Sequence, residues 1–141
     1  MLLDTNIISE FWRPGPQANV LAWMDKQDHD RLFICTPVIA ELIYGIERLP
    51  DSHRKRRLLQ SLDDLLEGYR GRILPFDVEA AVNFGKVRTI RDTLGRSVST
   101  IDAMIASVAL ANNMPLVTRN TLDFTGIGLT LIDPFSADPI S

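Results

Sequence analysis

The chain has 141 residues, of which 45% are hydrophobic and 23% charged, a composition typical of one compact globular domain. Its 15 Lys and Arg against 18 Asp and Glu give a net charge of −3, so bulk charge does not favour nucleic-acid binding without a local basic patch or bound cations. No apolar run approaches the roughly 18 residues of a membrane span, and the N-terminus lacks the basic start of a signal peptide. These features predict a cytoplasmic protein without a membrane segment.

The small number of cysteine and histidine residues restricts the possible chemistry. The single cysteine, Cys35, excludes an internal disulfide, and its place in the apolar run LFIC predicts a buried, inert thiol. Two histidines, His29 and His53, are too few for a structural zinc site, and both lie in polar stretches. Carboxylates are therefore the most abundant groups for acid–base or metal chemistry.

The hydrophobic pattern predicts one domain, residues 1–134, in which strands alternate with helices, followed by a C-terminal tail at 135–141. The strands are predicted at residues 1–3, 31–35, 72–76, 115–118 and 129–132. The helices are predicted at residues 6–12, 17–26, 37–49 after a capping Thr36, 52–69, 77–94 and 99–112. Apolar strands separated by such helices are typical of a mainly parallel sheet covered on both faces. We therefore predict an α/β fold, a three-layer α/β/α sandwich around a mainly parallel sheet of about five strands.

Polar side chains follow the predicted strands at points that this fold would bring together. Ligands of open α/β sheets bind beyond the carboxyl ends of the strands, where helices also begin. Four carboxylates from distant segments are expected at this edge: Asp4, Glu41, Asp102 and Asp123. Three further polar residues directly follow the fourth strand: Thr118, Arg119 and Asn120.

Each of the four carboxylates also has a purely structural interpretation. Asp4 could cap the first helix, and Asp102 has the spacing of a capping box with Ser99. Glu41 lies outside the apolar stripe of its helix, as a solvent-exposed Glu would, and Asp123 suits a turn. Their expected convergence favours a functional role, because ionised carboxylates that are held together repel one another unless a cation bridges them.

Oxygen ligands without Cys or His favour Mg²⁺ or Mn²⁺ over zinc. Such a metal lowers the pKa of bound water and neutralises charge on a phosphate. Metal-dependent hydrolysis of a phosphoester is therefore the chemistry that the carboxylates predict.

Four segments together resemble the PIN-domain family, and in particular the VapC-type toxins of bacterial toxin–antitoxin pairs, including FitB-like members. They are MLLDTNIISE, TPVIAELIYGIERL, STIDAMIASVALANNMPLVTRNTLDF and LTLIDPF, and they occur in the family's order over almost the whole chain. The resemblance implies a PIN-like fold and a Mg²⁺-dependent ribonuclease, with Mn²⁺ as an alternative ion. It also implies a toxin that forms a homodimer, is inhibited by a cognate antitoxin, and joins larger assemblies that bind DNA through that antitoxin.

The resemblance also assigns roles by position. Asp4 in LDTN, Glu41 in AEL and Asp102 in IDAMIA match three catalytic, metal-binding acids. The fourth acid of the family falls at Asn120 or just after it, so either Asn120 or Asp123 is the fourth site residue. Three neighbouring side chains are expected to hydrogen-bond the acids or metal-bound waters: Thr5, Asn6 and Thr118.

The densest positive cluster is the run His53–Arg57 at the start of the fourth predicted helix. A charged helix start is commonly a solvated surface, but it could also contact RNA or an acidic partner. The candidate RNA-binding residues are Arg54, Lys55, Arg57 and Arg119.

Two other functions compete with the nuclease hypothesis. In an aspartyl-phosphate phosphotransferase or phosphatase, Asp4 would be phosphorylated, but one such pattern needs an acid at Asn6 and another needs a late lysine, whereas the last is Lys86. A non-catalytic PIN-like binding module would have lost its acids, and three of them are intact.

Overall fold

Within residues 1–136, which the computed structural model describes, five short strands form the centre of the fold. They are β1 (Leu2–Leu3), β2 (Ile34–Cys35), β3 (Ile73–Leu74), β4 (Leu116–Val117) and β5 (Leu131–Ile132). Strand β1 pairs with β4, β4 with β5, and β2 with β3, while a bridge between Leu2 and Phe33 joins the two groups. Every pair is parallel, so the order is β3-β2-β1-β4-β5, and the predicted sheet is confirmed.

Six α-helices lie between the strands in the same part of the chain. They are α1 (Thr5–Trp12), α2 (Ala18–Asp25), α3 (Thr36–Glu47), α4 (His53–Gly68), α5 (Val78–Thr93) and α6 (Thr100–Ala111). Two short 3₁₀ turns span His29–Arg31 and Thr121–Phe124. None of the helices described is long and apolar enough to cross a lipid bilayer.

Side chains on both faces of the sheet are buried. Leu2 and Leu3 are adjacent in β1 and therefore point to opposite faces, yet they are only 0% and 1% exposed. The apolar residues of α6 are covered as well, since Ile105 and Val108 have no exposed surface. Helices therefore cover both faces of the sheet, as in the predicted three-layer sandwich.

Two details differ from the sequence-based expectations. Thr36 is the first residue of α3 and not its cap, because its Oγ1 accepts a hydrogen bond from the backbone N–H of Phe76. Of the predicted tail, Phe135 is half-buried and packs against the core, and its carbonyl accepts a hydrogen bond from Asn19 Nδ2. The remainder of that tail, residues 137–141, lies outside the described residues.

Candidate active site

Asp4 is the most deeply buried of the predicted site residues that carry a charge. It follows β1 directly, and its side chain is fixed at the first turn of α1, where Oδ1 accepts a hydrogen bond from the backbone N–H of Thr5 at 2.7 Å. Its Oδ2 accepts from Thr118 Oγ1 at 2.7 Å and from Asn6 Nδ2 at 3.3 Å. Asp4 therefore caps a helix and presents a carboxylate at the carboxyl edge of the sheet, so its structural and functional interpretations are compatible.

Two of the four predicted carboxylates, Asp4 and Asp102, have raised pKa values to which the neighbouring acids contribute. Burial raises the pKa of Asp4 to about 6, despite opposing hydrogen bonds from Thr118 and Thr5, and the negative charges of Asp102 and Glu41 add to the rise. Burial is also the main cause of the raised pKa of Asp102, to which the charges of Glu41 and Asp123 contribute. Such mutual effects require the carboxylates to be near neighbours, so a bound cation would relieve unfavourable charge here.

Three of these carboxylates, Asp4, Glu41 and Asp102, line one cavity of about 410 Å³, which we call the acid cavity. Asp4 enters it from the end of β1, and the other two enter from α3 and α6. Ser99 Oγ accepts a hydrogen bond from the backbone N–H of Asp102, and this fixes the first turn of α6. The topology thus brings acids from distant parts of the sequence to one opening in the surface.

Asn120 and Asp123, the two candidates for the fourth position, lie in different environments. Asn120 lines the acid cavity, and its backbone N–H donates to Thr118 Oγ1 at 3.1 Å. Asp123 lies on the Thr121–Phe124 turn, where it is exposed and outside the lining of the cavity. Of the two candidates, Asn120 therefore lies at the cavity, whereas Asp123 acts on Asp102 through its negative charge.

The donor atoms at the cavity are suited to a hard cation. Besides the carboxylates, Thr5 lines the cavity, and its Oγ1 is buried without a hydrogen-bond partner among the described residues. An unpaired buried hydroxyl is costly and is satisfied by an additional ligand or water. Among residues 1–136, no three His, Cys, Asp or Glu side chains form a ready-made metal cluster. An ion here would complete its shell with water and substrate oxygens, as Mg²⁺ commonly does.

A second cavity of about 750 Å³ adjoins the first, between α1, α3 and α4. We call it the basic groove, because Arg13, Arg54 and Arg57 line it. Its floor is largely apolar, and Glu41 lies where it meets the acid cavity. The sequence-based candidates Arg54 and Arg57 therefore border a groove that leads to the acids.

The two other basic candidates are placed differently. Lys55 is engaged elsewhere, since its Nζ donates to the carbonyls of Glu47 and Leu49 at the end of α3. Arg119 lines the acid cavity, and its guanidinium lies 4.9 Å from the centre of the Phe135 ring. Arg119 therefore remains a candidate, whereas the contacts of Lys55 serve the junction between α3 and α4.

Sequence reasoning missed two charged residues at the acid cavity, Glu10 and Arg13. They form an ion pair with Nη1 of Arg13 2.8 Å from Oε2 of Glu10. Their i, i+3 spacing was the available signal, but Arg13 lies just beyond the predicted helix at 6–12, and such a pair is common on solvated helix surfaces. The burial of Glu10, which is 3% exposed, is a tertiary feature and distinguishes this pair from an ordinary one.

Comparison with known proteins places this geometry in a family. The sequence model of the PIN-domain family matches residues 1–125. The chain is 34% identical to the VapC ribonuclease Y4jK of Sinorhizobium fredii, over 96% of this chain and 97% of that protein. It is 32% identical to the toxin FitB of Neisseria gonorrhoeae, over 96% and 98% of the two chains.

A solved structure agrees with these relatives. The structure of FitAB bound to an IR36 DNA fragment contains a chain that superposes with a TM-score of 0.91 and 31% identity, covering 97% of this chain and 96% of that one. The match to the family model, the full-length relatives and the fold all agree with the resemblance carried by the sequence motifs. The chain belongs to the PIN-domain family, together with the VapC and FitB toxins.

Proposed function

We propose that this chain is a Mg²⁺-dependent endoribonuclease of the cytoplasm that acts as the toxin of a toxin–antitoxin pair. The observation that supports this most directly is the acid cavity, which Asp4, Glu41 and Asp102 line together with a Thr5 hydroxyl that has no hydrogen-bond partner within residues 1–136. Sequence similarity to relatives named as VapC ribonucleases is a second line of support. Mn²⁺ is a suitable substitute, because the same hard oxygen donors bind both ions.

The residues of the cavity divide into those that would hold the ion and those that orient them. Asp4, Glu41 and Asp102 would bind Mg²⁺ through carboxylate oxygens, and the ion supplies activation of water and neutralisation of phosphate charge. Thr118 and Asn6 donate to Asp4 Oδ2 and hold that carboxylate in one orientation. Asn120 is the better-placed fourth residue, and Asp123 contributes negative charge near Asp102.

The RNA strand would reach these acids past basic side chains at the border of the cavity. Arg119 lines the acid cavity itself, and Arg54 and Arg57 line the adjoining basic groove. Their charges provide the local positive potential that a chain with a net charge of −3 otherwise lacks.

The sequence pattern disfavours the aspartyl-phosphate alternative. Asn6 stands where one such pattern needs a second acid, and the last lysine of the chain is Lys86, on α5. A binding module without catalysis would not need three carboxylates whose mutual repulsion opposes folding. Hydrolysis assisted by a metal uses all of these features.

Cleavage assays on purified variants test the proposal. The substitutions Asp4→Asn and Asp102→Asn are expected to reduce Mg²⁺-dependent cleavage of a labelled RNA by about a hundredfold or more, since each removes a charged ligand. Asp63→Asn is the matched control, because Asp63 is an exposed acid on α4. Cleavage that persists in EDTA, or an Asp102→Asn variant as active as the wild type, would show that the acid cavity is not the catalytic site.

The partners follow from the same proposal: RNA as substrate, a cognate antitoxin, a homodimer and a larger assembly that binds DNA through the antitoxin. An antitoxin can inhibit a carboxylate site by inserting an Arg or Lys, because a guanidinium supplies positive charge without activating water. Expression of the chain alone should therefore arrest growth, and co-expression of its cognate small protein should relieve the arrest. Equal growth of cells that express the wild type and Asp102→Asn would contradict the toxin assignment.

A further inference from the structure

The buried carboxylate of Glu10 forms an ion pair with Arg13. Oε2 accepts from Arg13 Nη1 at 2.8 Å, and Oε1 accepts from the same nitrogen at 3.1 Å and from the backbone N–H of Gln17 at 2.9 Å. These bonds tie the segment after α1 back onto the last turn of the helix. Glu10 thus fixes both the loop and the side chain of Arg13.

One nitrogen of the Arg13 guanidinium binds Glu10, and the rest of the group is accessible. Its backbone N–H donates to the carbonyl of Glu10, and only Nη1 of its guanidinium binds Glu10. Among the described residues no acceptor contacts its Nη2 or Nε, and the side chain is 55% exposed. A guanidinium presents five N–H donors in a planar arrangement that matches phosphate oxygens, so the unused donors are available to an anion.

The place of Arg13 in the molecule indicates which anion. Arg13 lines both the acid cavity and the basic groove, so it lies at the junction between the acids and the groove that carries Arg54 and Arg57. Arg119 borders the acid cavity as well. A single strand of RNA with one phosphate at the acids would therefore meet Arg13 as it leaves the acid cavity and enters the basic groove.

From this arrangement, which rests on the proposed nuclease function, we propose that Arg13 binds the backbone phosphate next to the scissile phosphate and that Glu10 is the positioning residue that holds Arg13 there. The strand then continues into the basic groove along Arg54 and Arg57.

The experiment measures affinity for a fluorescein-labelled single-stranded oligoribonucleotide by fluorescence anisotropy, with Mg²⁺ present and in the Asp102→Asn background, so that binding is separated from cleavage. The substitution Arg13→Gln should weaken binding by roughly five- to tenfold, and it should lower the slope of log K against log salt by about 0.7, the value for one contact to a single strand. Arg13→Lys keeps the charge and should restore most of the slope.

Arg70→Gln is the matched control. Arg70 forms an i, i+3 ion pair with Glu67 like that of Arg13 with Glu10, but both residues are exposed and lie outside both cavities. The same change of charge there should leave affinity and slope unaltered. An equal loss in both variants would indicate bulk charge and would overturn the proposal.

The variant Glu10→Gln gives the sharpest test, because the two explanations predict opposite signs. Removal of a negative charge strengthens RNA binding if only the overall potential matters. If Glu10 positions Arg13, binding weakens, and Glu10→Gln combined with Arg13→Gln binds no more weakly than Arg13→Gln alone. Thermal unfolding of each variant verifies that the fold is intact.

The remaining outcomes separate this inference from the proposed function. Metal-dependent cleavage by the wild type together with unchanged affinity and slope in Arg13→Gln would overturn the role of Arg13 and leave the nuclease proposal standing. A protein that neither cleaves nor binds RNA would overturn both. An Arg13→Gln variant that loses only its affinity for a protein partner would show that Arg13 serves that interface instead.

Discussion

Asp4 combines a favourable role in folding with an unfavourable charge. Its hydrogen bonds fix the start of α1 and connect β1 to Thr118 at the end of β4. Its burial nevertheless raises the pKa to about 6, so the ionised form is destabilised inside the protein. In the absence of metal, Asp4 therefore lowers the free energy of unfolding at neutral pH, and the site is maintained at a cost in stability.

The substitution Asp4→Asn should reveal this cost as a dependence on pH. The pKa of Asp4 in the folded state, about 6, exceeds the ordinary value of 3.8, so the folded form binds its proton more tightly than the unfolded form. Stability from this group is therefore complete below the ordinary pKa and is lost as the pH rises through about 6. Between about pH 4 and pH 7.5 the variant should gain up to about 3 kcal/mol relative to wild type.

Urea unfolding in EDTA at several pH values measures this gain. Asp77→Asn is the control, because Asp77 also caps a helix, accepting from Ala80 at 3.0 Å, but is exposed. The Asp77→Asn variant removes a solvated carboxylate and should not show a gain comparable with that of Asp4→Asn. If the difference between Asp4→Asn and wild type were constant with pH, the carboxyl would not be perturbed by its surroundings.

At the scale of elements, a buried arginine attaches the segment that carries Asp123 to α5. Arg91 is 3% exposed, and its Nη1 donates to the carbonyl of Thr125 at 2.9 Å and to Thr125 Oγ1 at 3.2 Å. A longer bond of 3.4 Å reaches the carbonyl of Leu122. Among residues 1–136, Arg91 Nε has no hydrogen-bond partner. The guanidinium thus supplies a donor to the carbonyl of Thr125, whereas the carbonyl of Leu122 also accepts from Thr125 Oγ1 at 3.1 Å.

Arg91→Met should lower the free energy of unfolding by about 1–3 kcal/mol, because the carbonyl and hydroxyl oxygens of Thr125 lose the guanidinium donor. Amide hydrogen exchange of residues 121–126 should accelerate, since this segment loses its attachment to α5. Arg88→Met is the control on the same helix, because Arg88 makes an exposed bond to Thr100 Oγ1 at 3.2 Å. A change of less than about 0.5 kcal/mol at Arg91 would mean that Phe124 packing alone holds the segment.

The elements show which features are available from sequence. Ser52, Asp77 and Ser99 accept hydrogen bonds at the starts of α4, α5 and α6, and they are the residues at which the sequence predicts these helices to begin. Thr36 does not cap α3, because its hydroxyl is used by Phe76 from a distant segment. The strands are also shorter than their apolar runs, because only two residues of each form the parallel ladder. Local chemistry was predictable, whereas pairings between distant segments were not.

The candidate site likewise contains residues that the sequence predicts and residues whose roles depend on contacts between distant segments. Asp4, Glu41 and Asp102 could be placed together because the ends of the strands and the starts of the helices follow from the hydrophobic pattern, and the structure brings them to one cavity. The burial of Glu10 and the place of Arg13 depend on the path of the loop after α1, which closes through the Gln17 backbone. The hydrogen bond between the Gln17 backbone and Glu10 is not predicted by any hydrophobic periodicity in the sequence. The diversion of Lys55 to the end of α3 is likewise a tertiary contact.

For the whole molecule, the distribution of charge matters more than its sum. The net charge is −3, but acids are concentrated in one cavity while Arg13, Arg54 and Arg57 border the adjoining groove. A divalent cation at the acids would turn the cavity from repulsive to attractive for phosphate. Binding of metal and binding of RNA should therefore be coupled, with the metal contributing part of the positive potential that the chain lacks.

The same charge distribution predicts that divalent metal stabilises the whole fold. A ligand that binds only the folded state raises the free energy of unfolding by RT ln(1 + [L]/Kd), which is about 1.4 kcal/mol at a tenfold excess over Kd. For a chain of this size that corresponds to an increase in Tm of roughly 3–6 °C.

Calorimetry near pH 7.5 should show this increase with Mg²⁺ or Mn²⁺ for wild type and for Asp63→Asn, the exposed control. Asp102→Asn should show little increase, because it lacks one of the charges that the cation neutralises. The increase should also diminish towards pH 5, since protons compete with the metal for Asp4 and Asp102, whose pKa values are raised. An equal increase in wild type and Asp102→Asn at every pH would place the ion elsewhere on the surface.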